Sequence, residues 1–309
     1  MMIRIGNEMN KVTGAINLST PGREPVIIDL CMAPGGFSFS ALKSNPTAQL
    51  RGLSLPTELG GWEILLPRTP NTEVLYQDVT MLAAEMGVTK DEIPPDHADV
   101  NNFIHTRLFD DVKADLIFCG GGVQRLHDQH RAGYRQQTEG TRLTTSQLVF
   151  AMNRVRTGGT LVLLMHRPET WATAVLLYTF TQCADTVRCF KPRQGHVIRS
   201  SFYIVATGVR PGCEEAVRAV ERWKETWRRN TLGKVKGDAT GSNVDVKADE
   251  DEDGTGLFGY NVEDVIRDFG QQLIQLGRPV WRIQAAALKD ANRKWGKKKT
   301  WEVNKAVRE

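Results

Sequence analysis

Asp29-Leu30-Cys31-Met32-Ala33-Pro34-Gly35-Gly36-Phe37 is the stretch of sequence that decides the fold. The residues leading into it, Pro25-Val26-Ile27-Ile28, are apolar on both faces, the pattern of a strand covered on both sides of a sheet. Two adjacent glycines then permit positive φ and a close backbone approach. Ser38-Phe39-Ser40-Ala41-Leu42 follows and can start a helix, whose free N-terminal N–H groups suit an anionic group. The spacing is neither GxGxxG nor GxxxxGK(S/T), which removes support for a dinucleotide fingerprint or a P-loop. The alternative is a tight strand-to-helix turn that holds no ligand.

Outward from this turn, short β-branched runs alternate with helical stretches. Gly52–Leu55, Thr72–Tyr76, Ala114–Cys119, Thr160–Met165 and Arg199–Ala206 read as strands. Thr144–Val155 has apolar residues at helical spacing and stops before Gly158-Gly159, and Ala172–Cys183 reads as a further helix. Strands alternating with helices imply βαβ crossovers and a mostly parallel α/β sheet with helices on both faces. Ligands of such sheets sit beyond the carboxyl ends of the strands, here just after Leu30, Leu55, Tyr76, Cys119 and Met165.

Length and composition set limits on this reading. A chain of 309 residues has room for about two units, or one larger domain with an appendage. With 40% hydrophobic and 25% charged residues it is neither disordered throughout nor a membrane protein. No apolar run reaches the roughly 18 residues that span a bilayer, and polar residues from Asn7 onward argue against a signal peptide. Cys31, Cys119, Cys183, Cys189 and Cys213 are scattered without a CxxC pair, which predicts a reduced intracellular protein, cytoplasmic or nuclear, with no metal cluster. The net charge of +4 is compatible with a nucleic-acid partner without demanding one. Composition shifts after Pro211, so the expected division is residues 1–211 as the α/β domain and 212–232 as a helix carrying Trp223 and Trp227. An acidic, Gly-rich linker (233–256) and a helical, basic extension (257–309) complete it.

Asp29–Ser38 resembles the S-adenosylmethionine-binding turn of the FtsJ-like ribose 2′-O-methyltransferases, whose pattern is DLxAAPGGWS or a close variant. Asp78 stands where that family places an acidic residue near the adenine, and Thr157–Thr160 resembles its PGG-strand junction. Lys191-Pro192, followed by Ser201–Gly208, resembles its last strand region; the likeness spans about Lys11 to Pro211. It implies a Rossmann-like methyltransferase sheet with a helical C-terminal extension, S-adenosylmethionine as cofactor and RNA as substrate. The cofactor-binding positions it implies are Asp29, Cys31, Ala33, Pro34, Gly35, Gly36, Phe37, Ser54, Asp78 and Gly120. Ser54 replaces the acidic residue that many such sheets set on the adenosine ribose and cannot make the same bidentate pair.

The family's Lys-Asp-Lys-Glu catalytic set is mostly missing. Lys11 falls at about the interval expected of the first lysine, but Gly120, Leu164 and Ser201 take the other three places. A ribose hydroxyl needs a positioned base or cations that stabilise its oxyanion, and Gly, Leu and Ser supply neither. His166 lies two residues past Leu164, on the same side of an extended strand, and could serve as a base. His127 and His130 follow the glycine run Gly120-Gly121-Gly122; each of these histidines also reads as a loop or strand-end residue without a role. Arg125, Arg131, Arg135 and Arg142 read either as a basic rim for phosphates or as a solvated arginine-rich loop. Cys119 reads as a buried strand residue. Trp281, Trp295 and Trp301 among Arg293, Lys294 and Lys297–Lys299 suggest either nucleic-acid stacking or, the favoured reading, an amphipathic helix docked on the α/β domain. The three functional readings are a methyltransferase on RNA, an inactive methyltransferase-fold binding protein, and a methyltransferase for another acceptor.

Overall fold

The computed structural model describes residues 1–67, 69–123, 132–233 and 260–306, with side chains of the last helix as far as Arg293. The strands are β1 (Val26–Leu30), β2 (Gln49–Ser54), β3 (Thr72–Tyr76), β4 (Ala114–Cys119), β5 (Val155–His166), β6 (Thr186–Phe190) and β7 (Ser201–Val209). They form a seven-stranded sheet in the order β3-β2-β1-β4-β5-β7-β6. The pairings among β1 to β5 are parallel, whereas β7 runs antiparallel to both β5 and β6. The central strands are buried on both faces, β4 along its whole length, as the apolar runs of the sequence require.

Helices α1 (Met2–Thr13) and α2 (Gly36–Ser44) cover one face, packing Ile5, Met9 and Phe37 on Ile27, Phe118, Val162 and Tyr203. The other face carries α3 (Arg135–Arg154), α4 (Trp171–Cys183), α5 (Glu214–Leu232) and α6 (Val262–Ala306). Trp223 and Trp227 of α5 are buried in that layer, and the Trp227 indole donates to the carbonyl of Thr80 at 2.9 Å. In α6, the Trp281 indole donates to Glu169 at 2.8 Å, which places that tryptophan against the α/β domain. No described helix is long and apolar enough to cross a membrane.

Four local features differ from the sequence expectation. Helix α1 was not expected; it forms because Ile5 and Met9 share one face and Gly6 lets Ser40 approach, and Gly14 at φ 71° closes it. Strand β6 is a short edge strand with alternating exposure, too weak a pattern to stand out. Helix α3 begins at Arg135 instead of Thr144, because polar residues of its first turns are buried and ion-paired. Arg135 and Arg142 therefore lie in a buried helix, not in a solvated loop or basic rim. Strand β5 runs through Gly158-Gly159, where the sequence suggested only a helix stop. Arg125, His127, His130, Arg131 and most of the expected 233–256 linker lie outside the described residues, as do the side chains of Trp295, Trp301 and Lys297–Lys299.

Candidate functional site

Between β1 and β4 the strand order reverses, and a cavity of about 340 Å3 opens beyond the carboxyl ends of β1 to β4. This is the crevice where open α/β sheets bind ligands. Cys31 and Ala33 reach it from the turn after β1, Ser54 from the end of β2, Asp78 from the turn after β3, and Gly120–Val123 from the end of β4. The loop from Leu55 to Trp62 forms an apolar wall, while Arg135 and Glu139 of α3 supply charge.

Asp78 is the best-defined polar group in the cavity. Its Oδ1 accepts the Thr80 amide at 2.9 Å and the Thr80 hydroxyl at 2.8 Å, and its Oδ2 accepts the Arg135 guanidinium at 2.7 Å. Burial alone would raise the pKa of this carboxyl, but Arg135 and the Thr80 donors outweigh it and hold the group below the usual carboxylate range. One acceptor site on Oδ2 is left over, enough for one more donor such as an exocyclic amine. Arg135 also donates from Nε to Glu139 Oε2 at 3.0 Å, and Arg142 bonds the same carboxylate at 2.8 Å from Nη1. Arg142 is anchored in turn on the Thr80 carbonyl at 3.1 Å and the Thr231 hydroxyl at 2.9 Å. The cavity floor is thus a satisfied ionic network that fixes the direction in which Asp78 points.

The Cys31 thiol also lines the cavity, but burial, reinforced by Asp78 and Asp29, pushes its pKa up to about 12. It is a neutral wall, not a nucleophile. Burial likewise raises the Cys119 thiol, in keeping with a buried strand residue.

Of the expected cofactor positions, Cys31, Ala33, Ser54, Asp78 and Gly120 meet at the cavity, whereas Asp29, Pro34, Gly35, Gly36 and Phe37 are not part of its wall. Buried Asp29 accepts the Ser38 hydroxyl and tethers the start of α2; burial pushes its pKa up to about 7, against the Ser38 hydrogen bonds. Gly35, at φ 97°, faces Leu66, and a Cβ there would stand 3.3 Å from the Leu66 Cβ. A Cβ on Gly36 would come within 2.5 Å of the Met2 Cβ, so that glycine admits the first turn of α1. Phe37 stacks on Phe118 with centroids 5.3 Å apart. Sequence reasoning missed Gln77, Arg135, Glu139 and Trp62 as cavity residues. Gly60-Gly61 ahead of Trp62 was a readable signal, since a Cβ on Gly61 would lie 1.9 Å from the Leu55 carbonyl oxygen.

A model of the FtsJ-like methyltransferases matches residues 7–209, well over half of the chain. The protein belongs to that family. No curated protein sequence matches it. Among solved structures it is similar to a Plasmodium falciparum protein named as a ribosomal RNA methyltransferase (15% identity, 67% of this chain and 97% of that one, TM-score 0.43). It is also similar to an O-methyltransferase family protein from Burkholderia thailandensis (14% identity, 68% and 57%, TM-score 0.37). A third is an rRNA methylase from Streptococcus thermophilus (13% identity, 60% and 88%, TM-score 0.34).

In this FtsJ-like protein, of the four positions that the sequence resemblance matched to the catalytic set, Gly120 lies on the cavity wall and Leu164 next to it, and neither carries charge. Leu164 Cδ2 would sit 3.7 Å from a Cβ on neighbouring Gly122. Ser201 is buried at the start of β7, opposite His166 of β5. Lys11 is not brought to this place. It lies near the carboxyl end of α1, in a shallow depression with Lys43 and Ser44 of the last turn of α2, whereas Met2 at the other end of α1 meets Gly36. The buried α1 side chains in the Phe37 and Tyr203 cluster are Ile5 and Met9. His166 is exposed at the end of β5, with Nδ1 3.2 Å from the Ser200 hydroxyl. Partial burial of its ring beneath the exposed edge, and then the charges of Lys191, Arg167 and Arg199, lower its pKa, which favours the neutral imidazole that a base requires.

Proposed function

We propose that this FtsJ-like protein binds S-adenosylmethionine in the cavity beyond β1 to β4 and transfers a methyl group to RNA. The observation that carries the reading is Asp78: a carboxylate kept ionised by Arg135, with one acceptor site left over, at the strand-order switch of an FtsJ-like sheet. A donor amine on a purine satisfies that remaining site, and Leu55, Val79 and Trp62 offer apolar surface to cover a flat ring and exclude water. Cys31, Ala33 and Gly120–Gly122 leave room for the aliphatic end, so the cavity suits the adenosine part more closely than the amino-acid part. When bound, the cofactor supplies a methyl group already activated for displacement. On the acceptor side, His166 takes the proton of the attacking hydroxyl, the family-implied ribose 2′-OH, because no lysine or carboxylate stands at Gly120, Leu164 or Ser201.

A second reading, a protein that binds the donor without turnover, is favoured by one feature: Gly120, Leu164 and Ser201 stand at three positions of the family's catalytic set, and none of their side chains carries the charge that stabilises an oxyanion. Titration calorimetry with S-adenosylmethionine followed by transfer of labelled methyl groups to total RNA and to a protein extract separates the readings. Donor binding with label in RNA that is lost in His166→Gln supports the proposal. Donor binding with no label anywhere supports the second reading, and label in protein alone points to another acceptor. No binding at millimolar donor removes both.

A further inference from the structure

A second group of functional side chains lies beyond Leu164, on the rim formed by the end of β5, the start of β7 and the loop that joins β6 to β7. Lys191 is buried at the end of β6, and its ammonium donates to the carbonyls of His196 at 3.1 Å and Ser201 at 2.7 Å, and also to that of Arg199. The Arg167 amide donates to the Ser200 carbonyl at 3.2 Å, and His166 Nδ1 is 3.2 Å from the Ser200 hydroxyl. These bonds bring the backbones of Arg167, His196 and Arg199 together with His166 and Lys191, and the charges of Arg167, Lys191 and Arg199 act on the His166 ring.

Cations outnumber acids around this cluster: Arg167, Lys191, Arg193 and Arg199 stand against Glu8 and Glu169. Among the described residues, Arg167, Lys191 and Arg199 have no carboxylate partner. Of the neighbouring acids, Glu8 on α1 accepts the Arg193 amide at 3.0 Å, and Glu169 accepts the Trp281 indole at 2.8 Å. The imidazoles of His166 and His196 are depressed in pKa by burial and then by the surrounding cations. His196 Nδ1 and the Ser201 hydroxyl are buried with no hydrogen-bond partner, a cost that native interiors seldom leave standing. Arg167 is held at φ 46°, a left-handed conformation costly for an arginine, of the kind that gathers at ligand clamps.

We propose that Arg167, Arg199 and His196, gathered around Lys191 and next to His166, form a phosphate-binding site on the acceptor side of the sheet. Two exposed guanidinium forks suit the oxygens of a phosphoryl group, and the half-buried His196 imidazole beside Arg199 can add a donor. The site begins two residues past Leu164 on the same face of β5, about 7 Å along the strand, within one nucleotide of the cavity wall. Its ligand is a phosphodiester of the acceptor strand. That identity rests on the RNA reading above, whereas the anion site does not.

The test uses the full chain. Inorganic phosphate is titrated while the imidazole signals of His166 and His196 are followed by 1H–15N NMR, and a single-stranded oligoribonucleotide is titrated by anisotropy across a salt series. The double variant Arg167→Gln, Arg199→Gln is compared with a charge-matched control, Lys90→Gln, Arg188→Gln. Expected are saturable imidazole shifts in the parent and control that the double variant loses. Oligoribonucleotide affinity should fall by about tenfold or more in the double variant alone, with the salt slope reduced by about 0.7 for each phosphate contact removed. Imidazoles that phosphate does not move, or a control that loses as much affinity as the double variant, overturn the proposal. Phosphate shifts in a chain that binds no oligoribonucleotide keep the site, assign it to a free phosphate or nucleotide, and remove the RNA reading.

Discussion

The two ends of the crevice are built on opposite principles. At the β1-to-β4 end, charge is buried and fully paired: Asp78, Arg135, Glu139 and Arg142 bond one another and fix a single acceptor direction. At the β5-to-β7 end, Gly120 and Leu164 beside the cavity are small or apolar, and the cations Arg167, Lys191 and Arg199 that follow on the rim have no ion-pair partner among the described residues. A paired buried network specifies one geometry, whereas an unpaired basic rim awaits an anion. The contrast separates a cavity whose polar group is fixed by paired charge from a rim whose cations are left without ion-pair partners among the described residues.

The largest effect that sharpens this contrast is expected at Arg135. Arg135→Met leaves the buried Asp78 carboxylate without its cation, while Glu139 keeps only Arg142, which should lower unfolding stability by about 3–5 kcal/mol in urea titrations. A loss near zero would show that the floor of the cavity is hydrated and loosely held.

Much of this was legible in the sequence, and the exceptions share one cause. Strands β3 and β4 fall on the residues expected of them, because apolar and β-branched residues dominate both, with one acid each, Glu73 and Asp115. The turn after β1 was located, but which of its atoms meet the cavity was not. Gly35 and Gly36 answer to Leu66 and Met2, tertiary neighbours distant in sequence. Arg135 and Arg142 read as loop cations because charged residues are rarely buried, and only their carboxylate partners, Asp78 and Glu139, make burial tolerable. Lys11 was matched by its interval from Asp29, yet the direction of α1 carries it to the far end of α2. Spacing along a chain does not report which end of a helix faces a site.

Three smaller effects would break or refine the comparison. Gly36→Ala puts a Cβ against Met2 and the Ile3 amide; it should cost about 1–3 kcal/mol by displacing α1, with less effect on the cavity, in chemical denaturation. Asp29 contributes through pH. Its folded-state pKa of about 7 lies above the unfolded value of about 4, so its stabilising contribution is complete below pH ~4 and is lost as pH rises through ~7. Asp29→Asn should therefore gain on the parent across that window, by more than ~1 kcal/mol, and run parallel to it above; denaturation midpoints at several pH values check this. Lys11→Ala, far from both ends of the crevice, should change stability by less than ~0.5 kcal/mol and leave ligand affinities as they are.

The central claim, that the Asp78 end of the crevice is a live methyl-donor site, is tested most directly by calorimetric titration of the full chain with S-adenosylmethionine, parent against Asp78→Asn. One saturable site in the parent, weakened at least tenfold in the variant by the loss of about 1.5–3 kcal/mol of charged hydrogen bonding, is the predicted result. Equal affinity in the two proteins, or no heat from the parent at millimolar donor, would contradict it.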